Sequence, residues 1–174
     1  MDKDVMLALI DETTESLIAT AEPLTDADLA AASLLPGWTR GHVITHIARN
    51  ADALRNLLIW ARTGVETPAY LNKEAREADI EAGAPRPAAE QFADLLRTAS
   101  AFRAEIEAMP EDAWQATVGA FGLDIPATEI LVRRLTEVVL HHTDLDLGYT
   151  PASWPAAFAT LDLPESLAAL RSTR

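Results

Sequence analysis

The segment TEVVLHHTDLDLG, residues 136–148, sets Glu137 one helical turn before His141, with a second histidine at His142, inside a run whose periodic positions are otherwise apolar. Leu131, Leu135, Val138 and Leu145 recur at helical spacing and mark the face turned toward a core. Residues four apart on a helix share a face with side-chain bases about 5–6 Å apart, so Glu137 and His141 can reach one ion together. His142 points elsewhere. At about 100° per residue it lies roughly 140° from Glu137, near the centre of the apolar stripe, where packing or support of a neighbour is its expected work.

That stripe needs partners, and three further segments supply them. One runs from about Asp4 to Ala21 with Val5, Leu9, Ile10, Leu17 and Ile18 on one face. A second starts after LPGW, with Thr39 as its expected N-cap, carries Val43, Ile47, Leu54, Leu57, Leu58 and Ala61, and ends at Gly64. A third spans about Ala88 to Met109, between Pro87 and Pro110, and repeats Phe92, Leu95, Leu96, Ala99, Phe102 and Ile106. The fourth, containing the opening segment, begins near Pro126, and Gly148 is its expected C-cap.

Four amphipathic helices without convincing alternating strands predict an all-α four-helix bundle. The stretch from Gly64 to Pro87 is too long for a hairpin turn. It predicts a crossover between parallel second and third helices, an up-down-down-up order, and a small polar helix over NKEAREADIEAG. DAWQATVGAFGLDI predicts a short extended excursion around Gly119 and Gly122. Residues 1–150 are expected to form the bundle, and residues 151–174, punctuated by Pro151, Pro155 and Pro164, a tail packing back on it as short helical pieces.

The composition narrows the function. A chain of 174 residues suits one domain, and a hydrophobic content of 49% without a long apolar run predicts no membrane span. The start, MDKDVMLALIDETTES, lacks a basic leader and a cleavage site, so the expected location is cytoplasmic. A net charge of −13 repels phosphate backbones and anionic lipid, which argues against nucleic acid and membranes as partners. There is no cysteine, so any thiol chemistry needs a borrowed thiol.

A glutamate and one histidine make only half of an open metal site, which takes three protein ligands. Only four histidines exist, and the other two, His42 and His46, open the second helix. His46 lies beside the Val43, Ile47, Asn50 and Leu54 stripe and is the better inward ligand; His42 turns toward solvent or a pocket rim. Arg134 shares the Glu137 and His141 face, where it can anchor a substrate or thiol carboxylate or simply pair with an acid. Asn50 can orient a ligand or join two helices. Trp38 is expected to staple the start of the second helix, and Asp144 and Asp146, at a helix end that disfavours acids, point to a local cation or arginine.

Two blocks, LPGWTRGHVITHIARNADALRNLLIWARTG (residues 35–64) and RRLTEVVLHHTDLDLGYTPASWP (residues 133–155), resemble the N-terminal domain of mycothiol-dependent maleylpyruvate isomerase, a member of the DinB-like superfamily of metal-binding four-helix bundles. The resemblance implies a divalent metal, usually zinc, on His46, Glu137 and His141. It also implies mycothiol or another low-molecular-weight thiol as cofactor, and a small electrophile as substrate. Chemistry of this type adds a thiolate across a conjugated cis double bond, lets the resulting single bond rotate, and eliminates the thiol. The maleylpyruvate isomerase carries a smaller C-terminal domain that helps bind substrate, and this sequence is expected to be a single-domain relative, so the expectation covers an isomerase or a thiol S-transferase. The rival is a noncatalytic metal-binding or regulatory bundle, recognisable by a closed four-ligand shell that includes His42 or His142.

Overall fold

The computed structural model describes residues 2–120 and 122–174. In chain order the elements are α1 (Lys3–Ala21), α2 (Asp26–Ala30), α3 (Arg40–Thr63), α4 (Lys73–Gly83), α5 (Ala88–Glu107), a 3-10 turn (Glu111–Gln115), β1 (Thr117–Ala120), β2 (Leu123–Pro126), α6 (Ala127–Asp144), a second 3-10 turn (Pro151–Ser153), α7 (Ala156–Ala159) and α8 (Glu165–Ser172). The helices α1, α3, α5 and α6 form the four-helix bundle, and β1 pairs antiparallel with β2 as a single hairpin.

Residue pairs fix the directions. Arg49 meets Asp94 and Arg62 meets Glu105, so α3 and α5 run parallel. His46 meets His141 while the Ile47 carbonyl meets Arg134, so α3 and α6 run antiparallel. Asp11 pairs with Arg103 across the antiparallel α1 and α5. This is the expected up-down-down-up order, with α4 lying in the crossover between α3 and α5.

The apolar stripes close on one another, except that Val5 of α1 and Leu96 of α5 are exposed. Leu54, Leu57, Leu58, Phe102, Ile130 and Leu135 are buried in the larger core cluster; Leu17, Val43, Ile47, Leu95, Val138 and Leu145 form a second cluster at the other end. Full burial of each such side chain is worth about 1.5–3 kcal/mol. Phe158 of α7 is buried in the larger cluster, and the Trp154 indole N–H donates to Thr143 Oγ1 at 2.9 Å, which ties the residues after Gly148 to α6.

Helix ends explain the boundaries. Thr39 caps α3 through a capping box whose other half is the His42 ring, with Nδ1 accepting from the Thr39 N–H at 3.1 Å. Gly64 ends α3 in the left-handed region at φ 71°. The expected cap at Gly148 is corrected: α6 ends at Asp144 and its C-cap is Leu145. The last carbonyls find distant donors instead of a glycine turn. The Leu34 N–H donates to the Asp144 carbonyl, Arg40 Nε to that of Leu145 and Arg40 Nη2 to that of Asp146, at 2.9, 2.7 and 3.2 Å. Short α2 had no counterpart in the periodicity. Thr25 and Asp28 hold it through a capping box of their own.

The crossover helix α4 lies close on α3 because two glycines permit it. A Cβ at Gly41 would collide with the Ala84 carbonyl oxygen, and one at Gly83 with the Thr45 side chain. Gln91 secures the same junction by donating to the carbonyls of Ala84 and Arg86 at 2.8 and 3.0 Å.

Candidate metal centre

The buried stripe of α3 carries His46 inward, and the polar face of α6 brings Glu137 and His141 against it. His46 Nε2 lies 2.9 Å from Glu137 Oε2 and 3.0 Å from His141 Nε2, and His141 Nε2 lies 3.2 Å from the same carboxylate oxygen. Three donor atoms from two helices therefore meet at one point, and His46 is 4% exposed.

These atoms fit a divalent ion. Zinc–nitrogen and zinc–oxygen bonds of about 2.0–2.2 Å in a tetrahedron place neighbouring ligand atoms roughly 3.3–3.5 Å apart, close to the separations here. Two imidazoles and one carboxylate are a donor set of open zinc centres. Without an ion, two ring N–H groups would crowd the single Glu137 oxygen with their nitrogens only 3.0 Å apart, an arrangement that a cation on the three lone pairs would relieve.

The surrounding groups fix the rings. His141 Nδ1 donates to Asp144 Oδ2 at 2.8 Å, which orients the ring and turns Nε2 toward the centre. Asp144 is 1% exposed and also accepts from Arg174 Nε and Nη2, at 2.9 and 2.6 Å. The expected local arginine near Asp144 is thus Arg174. On the other side, Arg76 of α4 donates through Nη2 to His46 Nδ1 at 3.2 Å, and its guanidinium lies 5.8 Å from the Tyr70 ring centre. Trp38 sets its edge against His46, with ring centres 5.6 Å apart, and stacks on His42.

The titration behaviour follows from this packing. Burial and the nearby His141 charge hold His46 down at about 4 despite the opposing pull of Glu137. For His141, burial favours the neutral ring, but hydrogen bonds and charge from Asp144 and Glu137 together outweigh it and raise the group to about 9. Burial likewise opposes ionisation of Glu137, yet its bonds to His141 and His46 hold it well below the usual carboxylate range. Burial pushes the Tyr70 hydroxyl up to about 12, so it keeps its proton.

The remaining residues singled out from the sequence lie outside this cluster. His142 is buried, bonds Thr20 Oγ1 at 2.8 Å and stacks on Tyr149 with ring centres 3.8 Å apart. His42 is occupied by the α3 cap and faces Glu81 at 3.4 Å. Arg134 is 1% exposed and spans the bundle interior, where Nη1 donates to the Ile47 carbonyl and to Asn50 Oδ1, both at 3.0 Å. Asn50 therefore joins two helices. Arg133 pairs with Glu129 on its own helix. Sequence reasoning missed Tyr70 and Arg76, which lie in the crossover that reads as a solvated face. The available signal was Arg76 one turn before Ile80, the buried apolar anchor of an otherwise polar helix.

No curated protein matches significantly. Among solved structures, a crystal structure of the mycothiol-dependent maleylpyruvate isomerase superimposes with a TM-score of 0.87 at 33% identity, over 91% of this chain and 66% of that one. A histidine-to-alanine mutant of the same enzyme gives a TM-score of 0.87 at 32% identity with the same coverage. The chain thus spans just under two thirds of the length of these structures. No helix among the described residues is long and apolar enough to cross a membrane. The family described as the mycothiol maleylpyruvate isomerase N-terminal domain matches residues 10–146, and the chain belongs to that family.

Proposed function

We propose that the protein is a metal-dependent, thiol-using enzyme of the mycothiol isomerase or S-transferase type, acting on a small electrophile. The observation that carries this reading is the meeting of His46 Nε2, Glu137 Oε2 and His141 Nε2 within 3.2 Å of one another. These three atoms would hold a divalent ion, with zinc favoured by the donor set. When bound, such an ion supplies the Lewis acidity that keeps a thiol deprotonated at neutral pH, in a chain with no cysteine of its own.

The protein's own groups prepare the site. Asp144 holds the Nδ1 proton of His141, so the ring proton that would leave on metal binding is the one on Nε2, which faces inward. Tyr70 presents a neutral hydroxyl beside the charged cluster. His42 and His142 are both engaged elsewhere, so neither closes a four-ligand shell, which favours an open, catalytic centre over an ion that only staples two helices.

The test incubates metal-loaded protein with mycothiol, bacillithiol or glutathione and a panel of electrophiles including maleylpyruvate, following conjugates by mass and isomers by chromatography. Turnover with mycothiol, lost on chelation and in Glu137→Ala, is expected. No turnover with any thiol would transfer the reading to a noncatalytic, regulatory bundle. Equal metal content in wild type and His46→Ala, purified without chelator or affinity resin, would defeat the ligand assignment.

A further inference from the structure

We propose that Arg76, assisted by Lys73, forms a carboxylate-binding subsite at the edge of the candidate metal centre, in the cavity bounded by the crossover. The cavity has a volume of about 430 Å³ and is lined by Pro68, Ala69, Tyr70, Lys73 and Arg76 together with Gly119 of the hairpin. It therefore joins the crossover to the hairpin, and through Arg76 it adjoins His46.

Arg76 differs from every other arginine of the chain. The others spend their donors on carboxylates, as Arg49 and Arg86 do on Asp94, or on backbone carbonyls, as Arg40 and Arg171 do. Arg134, the arginine on the Glu137 face, is sealed inside the bundle on Ile47 and Asn50. Arg76 has an imidazole nitrogen, the Tyr70 hydroxyl and the Tyr70 ring, and no carboxylate within salt-bridge distance among the described residues. In a protein of net charge −13, a half-buried guanidinium held away from acids is a position kept for an acid from outside.

The bond to His46 places the group. Arginine only donates, so Nδ1 of His46 accepts from Arg76 Nη2 at 3.2 Å, which sets the guanidinium beside the candidate metal centre, and its paired N–H groups match a planar carboxylate in the adjoining cavity. Lys73, 80% exposed and only loosely paired with Glu77 at 3.6 Å, adds a second positive charge at the cavity mouth.

This deepens the proposed function by fixing the charged half of the electrophile as a carboxylate, and it rests on that reading for the reactive half alone. The test titrates succinate, which has no electrophilic carbon–carbon double bond, into the zinc-loaded protein by calorimetry, with metal content and melting temperature checked for each variant. Wild type is expected to bind saturably, Arg76→Gln about tenfold or more weakly, Arg76→Lys in between, and Lys73→Ala a few-fold more weakly. Absence of saturable binding to wild type, equal affinity in Arg76→Gln, or inorganic phosphate binding as tightly as succinate would each overturn the subsite. Succinate binding that depends on Arg76 in a protein inert toward every thiol would remove the thiol-enzyme reading and leave the carboxylate subsite standing.

Discussion

Asp144 accepts the Nδ1 proton of His141 at 2.8 Å and receives both Arg174 nitrogens on the same carboxylate, so one buried acid couples the end of α6, the segment after α8 and the candidate metal centre. Outer partners of this kind typically contribute about 10–100-fold in metal affinity. Asp144→Ala is expected to weaken zinc binding by that order, and Arg174→Ala to weaken it less, because His141 keeps its own bond to Asp144. Competition against a chromophoric chelator measures both. Undiminished affinity in Asp144→Ala would show that the carboxylate only packs.

Proton release is expected to accompany metal uptake at the candidate centre, with a size set by two rings of opposite behaviour. His141, raised to about 9 by Asp144 and Glu137 against the effect of burial, is protonated at pH 7 and must lose a proton to expose Nε2. His46, held near 4 by burial and by His141, has none to lose. About one proton per ion is expected at pH 7, with affinity rising up to tenfold per pH unit and levelling off above about pH 9. Calorimetry in buffers of different ionisation enthalpy counts the protons, and a count of zero or two would contradict this division.

Acid sensitivity of the metal-free fold arises partly from His142. Burial lowers this ring from 6.5 to about 4, so the unfolded chain takes up a proton first as pH falls. The stabilising contribution is whole above pH 6.5, declines between 6.5 and about 4, and is absent below. His46 titrates over the same window. His142→Phe, which keeps a flat ring against Tyr149, is expected to reduce the slope of melting temperature against pH in this window by roughly half when measured in chelator. An unchanged slope would place the acid sensitivity elsewhere.

Arg134 holds α6 to α3 from within, with its guanidinium 5.7 Å from the Phe102 ring centre. Arg134→Ala would open a cavity and strip Asn50 of a donor, at a cost of about 2–4 kcal/mol. Urea unfolding reports this as a lower midpoint; a midpoint within error of wild type would restore Arg134 as a candidate anchor.

Gly41 controls how closely α4 approaches α3. Gly41→Ala forces a methyl group onto the Ala84 carbonyl oxygen and is expected to cost about 1–3 kcal/mol. Hydrogen exchange should quicken in α4 more than in α5, and exchange that quickens uniformly would argue against a local displacement.

Much of this was legible in the sequence for simple reasons. Long amphipathic helices announce themselves by period, and Thr39 and Gly64 cap α3 through local chemistry alone. The Glu137 and His141 pair is a spacing of four on one helix, and the scarcity of histidine directed attention to His46. What escaped depends on contacts far apart in the chain. Gly148 has the composition of a cap, but α6 stops earlier because Arg40, some hundred residues upstream, collects its carbonyls. Helix α2 spans five residues, too few for any period. Tyr70 and Arg76 gain their meaning only once α4 folds down over α3.

His46 and Glu137 stand 91 positions apart, and α3 and α6 must pack against each other before their donors meet. A nascent or half-folded chain thus offers a cation at most the isolated Glu137 and His141 pair. On the proposed ligand assignment, high affinity would belong to the completed bundle, so mass action on the ion would draw the population toward the finished fold and make metal retention a readout of correct assembly.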